Sequence, residues 1–157
     1  MLGARNLAVL CIVAVAASPA AGQPVAEMEI IESNGDWDLR VSVDSFTDEE
    51  TCVITYDDNV AIQGSSDSLF LSFQGQGGVQ GYRYRLNDEP ESGLNLSSDL
   101  ERDMQVVILD GAIYDEILAA DRLRVQVLTH RSSTVNEDIS MNGFQETRGS
   151  YMNRCED

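Results

Sequence analysis

Apolar and polar side chains alternate one for one in several separated stretches, and that period limits the chain to a largely β fold. In WDLRVSVD, residues 37–44, Trp37, Leu39, Val41 and Val43 fall on one side and Asp38, Arg40, Ser42 and Asp44 on the other. A period of two with one polar side is the mark of a half-buried strand. The same reading applies to TCVITY, to YRYRL and to RLRVQVL; SLFLSFQ reads as an apolar strand, and MQVVIL, with Val106, Val107, Ile108 and Leu109 consecutive, as a strand buried on both faces. The glycine-rich GQGGVQG between SLFLSFQ and YRYRL reads as the loose loop of an antiparallel hairpin. Helical spacing replaces the strand period twice. GAIYDEILAA, with Asp110 as its N-cap, places Ile113 with Ile117 and Tyr114 with Leu118. NGFQETRGSYMNRC places Phe144, Tyr151 and Cys155 on one helical face. After HRSSTVNED, read as a polar link, ISM adds a short strand. The expected fold is an antiparallel β-sandwich or half-barrel, with one mid-chain helix and one C-terminal helix closing an open end.

The first 22 residues read differently. A short n-region with Arg5 precedes the apolar run LAVLCIVAVAA, and SPAAG follows with small residues around Pro19. This is the layout of a secretory signal peptide, cleaved after Gly22 or Ala20, and the run is too short to span a bilayer as a helix. The domain organisation expected is a signal peptide over 1–22, an extended lead-in over 23–36 and one β-rich domain over 37–157, with no membrane insertion once the signal is removed.

Without residues 1–22 the chain keeps nine arginines, no lysine and all 27 acids, a formal net charge of −18. That field repels phosphate backbones and anionic head groups, so nucleic acid is not an expected partner. Two cysteines also remain, Cys52 and Cys155. A lone pair in an oxidising compartment is expected to bridge. Closing a loop of that length stabilises by about 4–5 kcal/mol in the chain-entropy model. A redox-active thiol would want a C-x-x-C or a neighbouring base, and neither is present.

Four features invite a chemical reading. The glycines at 75, 77, 78 and 81 suggest a nucleotide loop. However, the dinucleotide fingerprint requires glycine where Gln80 stands, and a strand rather than a helix follows. Asp44, Asp48, Glu49 and Glu50, then Asp57, Asp58 and Asn59, form two acidic clusters without the D-x-D-x-D-G spacing of a calcium loop, so solvated turns are expected and no metal is assigned. His130 is the only histidine, with no G-x-S-x-G elbow and no second histidine to share a zinc ion. No pattern calls for a cofactor, and no catalytic residue is assigned.

The fourth feature is Tyr82, Arg83, Tyr84 and Arg85, the candidate binding stretch. Two arginines on one face of an otherwise negative protein suit a carboxylate or sulfate on a peptide or glycan. The competing reading turns the tyrosines inward and pairs the arginines with acids across the sheet.

In order, a tryptophan-bearing first strand, TDEETC, YRYRLND, a short helix, RLRVQVLTH and DISMNGFQETRGSYMNRC resemble small exported proteobacterial proteins of the invasion-associated-locus-B type. The resemblance implies a β-sandwich whose last strand runs through Met141, Asn142 and Gly143 into a helix opening at Phe144. It also implies an envelope or host-contact role, and it carries no active site. The first expectation is therefore a non-enzymatic periplasmic or secreted binding or accessory module, meeting another envelope or extracellular protein. The alternatives are a small secreted enzyme or inhibitor using His130 and the acidic loops, and a calcium-stabilised extracellular module.

Overall fold

A computed structural model of the protein describes residues 28–156; the expected signal peptide over 1–22 lies outside the described residues, as does the lead-in up to residue 27. The chain runs β1 (Glu29–Asn34), β2 (Trp37–Val43), β3 (Glu50–Tyr56), β4 (Asn59–Gly64), β5 (Ser68–Ser72), β6 (Gly81–Leu86), β7 (Asn95–Leu96), α1 (Asp99–Met104), β8 (Val106–Asp110), α2 (Gly111–Leu118), β9 (Arg122–Leu128), β10 (Thr134–Ser140) and α3 (Phe144–Cys155). Two antiparallel sheets result, with strand orders β1-β2-β3-β4-β5-β8 and β10-β9-β6-β7, and neither closes into a barrel.

The alternation explains the layering. Leu39 pairs with Ile54 across β2 and β3, Ile62 with Leu71, and Leu71 with Val107. In the smaller sheet Leu86 pairs with Leu123 and Tyr84 with Val125. These rows meet in one core that also takes Tyr114 and Ile117 from α2 and Phe144 from α3. α3 packs on β1, β2 and β3, while α2 packs on β8 and β5, so the two longer helices cover separate parts of the larger sheet rather than plugging one end.

The turn leading into α3 is fixed by close backbone approach. Gly143 has φ +90°, and a Cβ there would lie 1.9 Å from the Asn34 carbonyl oxygen. Only glycine tolerates both conditions. Around it, the Asp36 N–H donates to the Asn142 carbonyl at 3.1 Å and the Trp37 indole N–H to the Ser140 carbonyl at 2.9 Å. The Phe144 ring sits 4.5 Å from Trp37 and 6.2 Å, edge-on, from Tyr114. Aromatic contacts of this kind add stabilisation beyond area burial. The Met141–Phe144 run that carries the sequence resemblance is therefore the joint between the first hairpin, the last strand and the last helix.

Several details differ from the sequence reading. β5 and β6 do not form a hairpin: β5 pairs with β4 and β8, and β6 with β7 and β9. The glycine-rich segment is a crossover between sheets. TVNED is not a link but most of β10, an edge strand whose outward positions are polar because one face meets solvent. The lead-in contributes β1, paired to β2. A third helix, α1, has six residues and is held by a capping box: the Ser98 side chain accepts from the Glu101 N–H, and the Glu101 carboxylate accepts from the Ser98 N–H at 2.8 Å. Asp110 does occupy the N-cap position of α2, but its side chain makes no capping hydrogen bond.

Candidate functional site

Cys52 and Cys155 are bonded to each other, with Cα atoms 6.2 Å apart across a separation of 103 residues. Glu50 lies close to both sulfurs. The grouping is not a metal site, because a disulfide has no thiolate to offer. Glu50 instead accepts from Arg154 Nε at 2.7 Å and Nη2 at 3.1 Å, and that pairing holds its carboxyl below the usual glutamate range.

Asp44, Glu50 and Asn59 of the acidic clusters accept hydrogen bonds. Asp44 accepts from the Phe46 N–H at 2.8 Å and the Thr47 N–H at 2.9 Å, which lowers its pKa and shapes the β2–β3 turn. Asp58 lies 4.0 Å from Arg40, whose Nε donates to Thr55 inside the larger sheet. His130 is exposed at the end of β9, and Ser133 exchanges a hydrogen bond with Thr129 rather than with the imidazole.

The Tyr82–Arg85 stretch is β6, and its alternation is realised. Tyr82 is buried and Tyr84 half-buried on the core side. Burial pushes the Tyr82 phenol up to about 12, and pushes Tyr84 up too, so both stay neutral. Arg83 and Arg85 face out. Across the sheet, Arg83 registers with Gln126 and Arg85 with Arg124, while Asn136 and Asp138 of β10 complete the two rows. An open trough of about 280 Å³ lies over them, lined also by Glu91.

The acid pairing across the sheet is only partly made. Arg83 Nη1 lies 3.4 Å from Glu91, and Arg124 Nη2 lies 3.7 Å from the almost fully exposed Asp88. Asp138 is taken by Arg122, whose guanidinium holds that carboxyl below its ordinary value. Arg85 has no carboxylate among the described residues and donates to the Asp88 carbonyl at 3.1 Å. The Nε atoms of Arg85 and Arg124 are buried without a hydrogen-bond partner.

Sequence reasoning found β6 but not Arg124, Gln126, Glu91, Asn136 or Asp138, which reach the site from β9, β10 and the β6–β7 connection. The signal for Arg124 was the alternation of RLRVQVL, which puts Arg122, Arg124 and Gln126 on the polar side. Nothing local said that this side would align with that of YRYRL.

No family model matches the chain, and no curated protein matches it in sequence. Among solved structures, invasion associated protein B from Bartonella henselae is similar, at 12% identity and a TM-score of 0.48, covering 80% of this chain and 98% of that one.

Proposed function

We propose that the protein is an exported binding or accessory module, periplasmic or secreted, whose outer β6–β9 face receives a carboxylate-bearing surface of another envelope or extracellular protein. One observation carries the reading: Arg85 and Arg124 stand in direct register, with Arg83 beside them, in a chain whose net charge is −17. Like charges directly opposite on a sheet destabilise it. A buried donor without an acceptor costs about 1–3 kcal/mol, and two Nε atoms here carry that cost. An incoming carboxylate relieves the repulsion, since arginine binds carboxylates through paired N–H groups. The layout of residues 1–22 supports export, and a structural disulfide suits the oxidising compartments that export reaches.

A photo-crosslinking residue placed at Gln126, in the trough, is expected to give an adduct with an envelope protein in intact cells. The same residue at the exposed Glu146 on α3 is expected to give none. Identical adducts at both positions, or none at either, would overturn the reading.

A further inference from the structure

Two features that the arginine face leaves unused, the glycine-rich crossover and the single histidine, meet at one place. An open depression of about 450 Å³ is lined by Gly77, Gly78, Arg102, His130 and Arg131 together with Gly75 and Gln105. The crossover is pinned there. The His130 N–H donates to the Gly77 carbonyl at 3.1 Å. Gly78 has φ +75°, and a Cβ on it would come within 2.8 Å of His130 Cδ2. A Cβ on Gly77 would sit 3.3 Å from Arg131 Cδ, so the arginine stem lies along the loop.

The donors at this place exceed the acceptors. Gly78 is buried, yet neither Gly77 nor Gly78 donates its N–H in any turn or loop backbone hydrogen bond of the described residues. Buried N–H groups without an acceptor are rare in folded proteins. Successive N–H groups in such turns form concavities that hold anions. Of the nine described arginines, six are ion-paired. Arg85 and Arg148 donate to carbonyls. Arg131 alone among the described residues does neither, although 27 acids are available in the chain.

We propose that this depression binds a small tetrahedral oxyanion, a phosphate or sulfate ester. The Gly77 and Gly78 N–H groups cradle it, Arg131 clamps it, and His130 and Arg102 add donors at the rim. Arg102 is already engaged, Nη1 by the Ser97 carbonyl and Nη2 by Asp99 on its own helix, so Arg131 is the principal charge. The field of the acidic chain opposes nucleic-acid phosphate backbones, and a single ester group meets the least of that repulsion. The site does not depend on the arginine face described above.

The test is titration of the ¹⁵N-labelled protein with inorganic phosphate, methyl phosphate and methyl sulfate at an ionic strength held constant with chloride. Saturable amide shifts are expected at Gly77, Gly78 and His130. Arg131→Ala should weaken them about tenfold or more, as loss of a charge-assisted clamp does. Arg83→Ala should leave them unchanged. Saturation by either ester supports the site, and the tighter of the two names the ester. Shifts that chloride alone reproduces, that never saturate, or that survive Arg131→Ala would overturn it.

Discussion

Cys155, the last residue of α3, is bonded to Cys52 in β3, 103 positions earlier in the chain. α3 is a weak helix by itself, with Gly149 in its interior and a polar sequence. The bond holds its end to β3, in the same sheet as the β2 residue Trp37 against which Phe144 anchors its start. Reduction, or Cys52→Ser with Cys155→Ser, should lower unfolding free energy by about 4 kcal/mol in a denaturant titration. Hydrogen exchange should rise first in the last turn of α3.

Phe144→Ala should cost about 3–5 kcal/mol, the usual range for removing a wholly buried phenylalanine, read from the same titration. Gly143→Ala should unfold the joint by a different route, through contact with the Asn34 carbonyl. A loss of Trp37 fluorescence burial should accompany both.

Glu101 joins two elements. One carboxylate oxygen accepts from the Ser98 N–H at 2.8 Å, and the other accepts from the Ile108 N–H on the free edge of β8 at 3.1 Å. Edge strands need such covering. Glu101→Ala should destabilise by about 1–3 kcal/mol and raise amide exchange at Ile108, with β2 and β3 little changed.

Stability should fall on acidification. Arg122 lowers the pKa of Asp138, Arg154 that of Glu50, and turn N–H groups that of Asp44, while Asn34 and Ser150 lower Glu32 and Ser65 and Ser68 lower Asp67. Each depressed carboxylate contributes stability in full above its ordinary value, 3.8 for aspartate and 4.5 for glutamate, and loses it as pH falls through the lower folded value. Glu137, raised by burial, works in the opposite sense and gains on protonation. With five groups against one, the melting temperature measured in about 0.5 M salt, where long-range repulsion is screened, should drop below pH 4.5. At neutral pH added salt should raise it, because the net charge of −17 repels itself.

The sequence carries the strands whose two faces meet different surroundings. Arg122–Leu128 alternates because one side is core and the other meets solvent, while on Trp37–Val43 the polar side is itself partly covered, with Arg40 buried and bonded to Thr55. Thr134–Ser140 was illegible because, at an edge, only Val135 and Ile139 mark its inner side and Glu137 shares that side. α1 is too short and polar for a periodic signal, although Ser98 and Glu101 spell a capping box that could have marked it. Adjacency in sequence suggested that β5 and β6 pair, but a glycine-rich segment that long can as readily cross to another sheet. The arginine face suffers from the same gap: the sequence shows which side of β6 is polar, whereas Arg124 arrives opposite Arg85 only through long-range pairing.

The arginine face is tested most directly by calorimetric titration of the protein with a hexaglutamate peptide, and with hexaglutamine as the neutral control, at fixed ionic strength. Saturable binding of hexaglutamate alone is expected, weakened about tenfold or more in Arg85→Ala with Arg124→Ala, while the fold persists because both side chains lie outside the core. No binding of hexaglutamate, or binding that the double variant retains in full, would contradict it.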